Sequence, residues 1–216
     1  MISGSAAFAA PAPSHIRGTI SSVSANNIVV HTDAGGNLQI SLTGTTKYLE
    51  VVNSNLDKVE KGSYIGTATK SIGSNLIALE VLVFPPSMKG VGEGHYAWDK
   101  IQDTTLSGGT TTASTMTNGN VAAVSAPSSA TVNSTMTNGN VAASSSKSGV
   151  QTLTVTYNGG QQTILVPPTT PIVTFHPGTA SDLTKGSKVF IQATKIGGTT
   201  TAGLVAVGVN GLRPPM

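Results

Sequence analysis

Apolar and polar residues alternate along this chain at a period of two, in short runs broken by glycine-rich turns. At Asn37-Leu38-Gln39-Ile40-Ser41-Leu42 the three apolar side chains fall on one face and Gln39 and Ser41 on the other, the pattern of a half-buried strand. Asn27-Ile28-Val29-Val30-His31-Thr32 precedes it, and Asp33-Ala34-Gly35-Gly36 supplies a hairpin turn, with His31 on the polar face. A helical turn is expected over 55–62, where Leu56 and Val59 share a face and Gly62 ends it, followed by strands at 64–70 and 77–83. Further on, Gln151-Thr152-Leu153-Thr154-Val155-Thr156-Tyr157 alternates again, Asn158-Gly159 turns the chain, and 163–166 returns. Predicted core positions are Ile40, Leu42, Ile77, Leu79 and Val81 in one half, and Leu153, Val155, Val189, Val205 and Val207 in the other.

The halves repeat. Lys61-Gly62-Ser63 leads to Ala68-Thr69-Lys70, and Lys185-Gly186-Ser187 leads to Ala193-Thr194-Lys195, an offset of 185 − 61 = 124 that becomes 193 − 68 = 125. Such self-similarity marks a duplicated unit. Five or so short strands with one helical turn per copy suit a small barrel of the OB type, a β-sandwich being the other candidate. The predicted fold is all-β: two tandem OB-like barrels joined by a long Gly/Ser/Thr-rich linker. The boundaries expected are 1–13 for a signal remnant or N-terminal arm, 14–86 for the first module, 87–135 for the linker and 136–216 for the second. Inside the linker the decapeptide at 114–123 recurs unchanged at 134–143. The second copy leads into the second module, so the first reads as spare material in a tolerant loop.

Composition narrows the function classes. Only 10% of the 216 residues are charged, against roughly 25% in an ordinary globular protein, and 38% are hydrophobic. A net charge of +3 with scattered basic residues and 4% aromatics gives no footprint for nucleic acid. No run approaches the ~18 apolar residues of a membrane helix. Cysteine is absent, which excludes disulfides and thiol chemistry. Ala7-Phe8-Ala9 has the small-x-small form of a signal-peptidase site ahead of Pro11, so export to the periplasm or beyond is expected.

The densest chemistry lies in Gly90-Val91-Gly92-Glu93-Gly94-His95-Tyr96-Ala97-Trp98-Asp99. Glu93, His95 and Asp99 could form a metal site or a small-ligand pocket beside the single tryptophan. Against that, His95, Tyr96 and Trp98 could anchor the linker, with Trp98 buried at a contact between modules or subunits. The three alternating glycines lack the spacing of a dinucleotide loop and read as a turn. His176, before Pro177-Gly178, reads as a turn histidine. No Gly-x-Ser-x-Gly elbow, His-Glu-x-x-His helix or phosphate loop occurs, so no enzymatic activity and no cofactor are expected.

Arg17-Gly18-Thr19-Ile20, Lys61-Gly62-Ser63, Leu79-Glu80-Val81 with Phe84-Pro85, and the block from Gly92 to Asp99 together carry a resemblance. So do Ser134-Thr135-Met136-Thr137-Asn138, Val166-Pro167-Pro168, Pro171-Ile172-Val173-Thr174-Phe175 and Pro214-Pro215-Met216. The chain resembles a family of exported proteobacterial proteins of unknown function, built from tandem OB-like modules and often labelled "metal ABC transporter permease". The family brings no site residues with it, and the label conflicts with the lack of any spanning run. The expectation is a structural protein that self-associates through β-strand arms into a fibre or envelope matrix. Phe8, Tyr96 and Trp98 are its assembly or packing residues, and copies of itself are its partners. A periplasmic ligand- or metal-binding accessory using Glu93, His95 and Asp99 is the alternative.

Overall fold

The computed structural model describes residues 13–106, 109–125 and 149–214. The fold is all-β, a five-stranded barrel with additional strands, and no α-helix occurs among the described residues. In chain order the strands are β1 (Ser14–Ser24), β2 (Asn27–Thr32), β3 (Asn37–Ser41), β4 (Lys47–Asn53), β5 (Tyr64–Ile72), β6 (Asn75–Val83) and β7 (Gly94–Gln102). They continue with β8 (Thr111–Val124), β9 (Gln151–Tyr157), β10 (Gly160–Val166), β11 (Ile172–Pro177), β12 (Lys188–Ile196) and β13 (Thr199–Gly208). Short 3₁₀ turns at Leu56–Lys58 and Ala180–Asp182 stand where the repeat places one helical turn per copy.

Two compact units form, and they are interleaved rather than consecutive. The first takes Met1–Val52 and His176–Pro214; the second takes Asn53–Phe175. In the first, β1 pairs β2, β2 pairs β3, β3 meets β13 in parallel, β13 pairs β12 and β12 pairs β1, closing a barrel. Ile20, Ile28, Val30, Ile40, Leu42, Val189, Ile191, Val205 and Val207 fill it. In the second, the circuit runs β8–β9–β10–β6–β5–β8, again with one parallel step, between β10 and β6. Its core includes Ile65, Val81, Val121, Leu153, Val155, Ile164 and Val166. All ten predicted core positions are buried. Each such side chain contributes about 1.5–3 kcal/mol through burial.

The expected boundary at residue 86/87 therefore falls inside the second unit. The β5–β6 hairpin of the first repeat closes on β8 of the second repeat, and β12–β13 closes on β1 of the first. The hydrogen bonds show the exchange residue by residue. The Val121 N–H donates to the Ser63 carbonyl at 2.8 Å and the Ile20 N–H to the Ser187 carbonyl at 2.9 Å. Thr170 Oγ1 donates to the Ala78 carbonyl and Thr46 Oγ1 to the Ala202 carbonyl.

The described part of the segment expected as linker is folded. It contains β7 and β8, and the first decapeptide, 114–123, lies within β8 with Met116, Thr117 and Val121 buried. Threonine-rich sequence that reads as linker by composition also has high strand propensity, and here two neighbouring strands satisfy its backbone. The second decapeptide lies outside the described residues, as does the arm 1–12 with Phe8.

A glycine fixes the same point in both repeats. Gly18 and Gly119 differ by 119 − 18 = 101, and each lies two residues before a β-bulge, between Ile20 and Ser22 and between Val121 and Ala123. A Cβ on Gly18 would lie 2.9 Å from the His31 carbonyl carbon, and one on Gly119 2.9 Å from that of Thr156, with the oxygens closer still. Only glycine lets the strands approach this closely.

Candidate functional site

The segment with the densest chemistry begins as a turn of left-handed glycines: Gly90, Gly92 and Gly94 have φ of 90°, 61° and 144°. Hydrogen bonds staple this turn down. Tyr64 donates its hydroxyl to the Val91 carbonyl at 3.0 Å, and Tyr96 donates to the Gly92 carbonyl at 3.2 Å. Asn118 Nδ2, on β8, donates to the same Gly92 carbonyl at 2.9 Å and to the Tyr96 hydroxyl at 3.1 Å. Burial, and secondarily the charge of Glu93, push the Tyr64 hydroxyl up to about 12, and burial raises Tyr96 as well. Tyr64 stays protonated through the neutral range and serves as a hydrogen-bond donor, not as a base.

The candidate metal ligands take separate partners. Glu93 Oε1 accepts from the Asn158 N–H at 3.0 Å, in the β9–β10 turn. His95 Nδ1 lies 2.8 Å from Thr117 Oγ1, and its ring stacks on Tyr157. Asp99 lies four residues along β7, where a rise of ~3.3 Å per residue puts its Cα ~13 Å from that of His95. Among the described residues no group of three His, Cys, Asp or Glu side chains could hold a metal ion. His95 and Asp99 are thus spread along an extended strand rather than gathered in a compact loop.

Trp98 is half-buried. It packs inside the second unit on Ala68, Leu79, Ile101 and Met116, with Tyr96 edge-on at 6.0 Å. His31 is exposed and bonds Asn37, and His176 is exposed at the end of β11 rather than in a turn.

Two groups carry no sequence signature of their own. Asn118 is buried, and its Oδ1 faces Gly66, where a Cβ would come within 2.5 Å. The repeat offset of 101, which aligns Asn118-Gly119 with Arg17-Gly18, was the available signal. Asp103 and Lys70 form a buried ion pair at 2.7 Å that pins the β7–β8 loop. Burial alone would raise the Asp103 carboxyl, but hydrogen bonds from Lys70 and Thr105 outweigh it and hold the group below the ordinary carboxylate range.

The backbone edge of β7 is the remaining feature. β7 is the one described strand with a single neighbour, β8. A bulge between Trp98 and Ile101, with charged Asp99 and Lys100, interrupts the distal half of that edge. Residues 94–98 carry no Asp, Glu, Lys, Arg or Pro, so the proximal half lacks the usual protections. No helix is long and apolar enough to cross a membrane among the described residues. No family model, curated protein or solved structure matches this chain.

Proposed function

We propose that this chain is a non-enzymatic, exported structural subunit that self-associates by strand addition, as a component of an extracellular fibre or envelope matrix. The observation that carries the reading is the edge of β7, a strand that pairs only with β8 among the described residues, in a protein with only 10% charged residues. An exposed row of N–H and C=O groups invites another strand, and natural sequences place charge or proline there when pairing is to be avoided. The resemblance to exported β-rich proteins and the signal-like Ala7-Phe8-Ala9 support the location. Both units are OB-like barrels in this reading, because the circuit of three strands, a parallel step and a closing hairpin is that of the OB fold, with the two hairpins exchanged. The segment 1–12, without a charged side chain, is the part of the sequence proposed to associate with a neighbour.

Deleting residues 1–12 is the test. The shortened protein is expected to be monomeric in sedimentation velocity with an unchanged β-sheet spectrum, while the full chain forms open, head-to-tail oligomers. A full chain that stays monomeric at high concentration would overturn the reading.

A further inference from the structure

The first unit is built from two stretches that lie on either side of the second in the sequence. Residues 53–175 supply the second unit, whereas the first joins 13–52 to 176–214. The later stretch carries the β12–β13 hairpin, which closes on the earlier one. β12 pairs β1 from Ser14 to Thr19, and β13 runs parallel to β4 from Leu204 to Gly208. The Gly186 N–H donates to the Ile20 carbonyl at 2.8 Å, and the Ile20 N–H to the Ser187 carbonyl at 2.9 Å. Val189, Ile191 and Val205 share one core with Ile28, Val30 and Ile40. The second unit makes the same docking with the order of the parts reversed. There the hairpin, β5–β6, comes before its acceptor β8 rather than after it. The Gly62 N–H donates to the Val121 carbonyl and the Val121 N–H to the Ser63 carbonyl, both at 2.8 Å. The fit is made by the two surfaces, whichever comes first and whatever segment joins them.

We infer that the 176–214 stretch of one copy also completes the first unit of a second copy, docking on its 13–52 stretch in place of that copy's own. The inference rests on the self-association reading above but uses other surfaces, neither the edge of β7 nor residues 1–12. Each of these contacts joins the earlier stretch to the later one, and all are kept when the two come from different copies. What favours the hairpin of the same chain is its effective concentration, and that advantage shrinks as the protein concentration rises. Each copy offers one acceptor and one donor, which are different surfaces, so the contact is heterologous and extends from copy to copy. The second unit stays whole within each chain. A docked hairpin must leave its barrel to reach a neighbour. The exchange therefore takes place as chains fold, whereas strand addition joins chains already folded.

The absence of native cysteine lets a disulfide read the exchange directly. Thr19 and Lys188 face each other across β1 and β12, within the Cα separation that a disulfide spans. Full chains carrying Thr19→Cys are mixed with full chains carrying Lys188→Cys, unfolded in urea, refolded together at high concentration and oxidised. Dimers linked through positions 19 and 188 are expected at several times the yield from the same chains mixed after folding. Thr19→Cys with Ile196→Cys is expected to stay at background, because Ile196 lies 196 − 188 = 8 residues beyond, about 26 Å along the strand. A chain carrying both Thr19→Cys and Lys188→Cys, oxidised when dilute, shows that the pair closes within one copy. Equal yields from the two mixtures overturn the exchange, as does background yield after refolding together. An unsubstituted chain that refolds only to monomers at high concentration overturns it as well. Strand addition stands in each of these cases if folded full chains associate and chains without residues 1–12 do not; folded full chains that stay monomeric overturn that reading separately.

Discussion

Replacing Gly119 with alanine places one methyl group where the second unit has no room for it. The added Cβ would lie 2.9 Å from the Thr156 carbonyl carbon and 3.0 Å from Val155 Cγ1, with the carbonyl oxygen nearer still. Ordinary carbon–carbon contact is about 3.5–4.0 Å, so β8 and β9 must part by about 1 Å. Overpacking of this kind costs about 1–3 kcal/mol. The movement also strains ladder hydrogen bonds at the bulge, each worth about 1 kcal/mol. We therefore expect Gly119→Ala to lose about 2–4 kcal/mol. That is a large share of the roughly 5–15 kcal/mol by which domains are stable.

Gly18→Ala should cost a similar amount, because its Cβ would meet the His31 carbonyl carbon at 2.9 Å and Val30 Cγ1 at 2.7 Å. Gly44 is the control. It has open space around a built Cβ and no positive φ, so Gly44→Ala should be neutral or stabilising by about 0.4–1 kcal/mol. Equilibrium urea unfolding supplies the measurement, with Trp98 fluorescence reporting the second unit and circular dichroism the whole chain. Losses below about 0.5 kcal/mol for Gly119→Ala or Gly18→Ala would refute the close approach, and with it the structural equivalence of β1 and β8.

The Asp103 carboxylate, held low in the folded state, contributes stability that is complete above the unfolded value of about 3.9 and fades as pH falls through the folded one. Asp103→Asn should destabilise at neutral pH and flatten the acid limb of the stability curve; an unchanged acid limb would sink the assignment. Trp98→Ala should cost about 2 kcal/mol, below the 3–5 typical of a fully buried aromatic, because the indole is only half-buried. Cleavage at an engineered protease site in the exposed turn after Met88 should leave both half-chains in one particle under native conditions, since each unit contains strands from both; native release of two folded halves would refute the exchange.

Much of the fold is legible in the sequence. Period-two alternation marks β3 and β9, apolar runs mark β6 and β13, and paired glycines mark the turn before β3, where Gly35 and Gly36 both take positive φ. These signals are local and each strand carries its own. The role of 114–123 was obscured for a different reason. Its ten residues are identical to 134–143, so no side chain tells one copy from the other. Burial along β8 is also uneven, with polar Thr117 and Asn118 inside, because both edges of the strand are paired and its polar groups find partners there. The candidate ligand set is spread out by backbone geometry. Glu93, His95 and Asp99 are close in number, but strand extension and the partners Asn158 and Thr117 draw them apart.

Which hairpin closes which unit is a question the repeat itself conceals. Ile20 and Val121 offer the same backbone groups, and Ser63 and Ser187 answer with the same carbonyls, so consecutive and exchanged pairings bury nearly the same surface. Interaction energy therefore hardly separates the two arrangements, and the connections decide. β4 ends at Asn53 and the next 3₁₀ turn starts at Leu56; β11 ends at Pro177 and its 3₁₀ turn starts at Ala180. The passage from one unit to the other nevertheless falls inside a strand in both repeats, between Val52 and Asn53 of β4 and between Phe175 and His176 of β11. A strand that runs on through the boundary carries the chain into the other unit before the next hairpin can form. In the second repeat Pro177 fixes φ, and Gly178 sits so close to Leu49 and Glu50 that a Cβ there would lie 3.1 Å from the Leu49 carbonyl carbon. The exchange is written in these two continuous strands, not in the core residues that the repeats share.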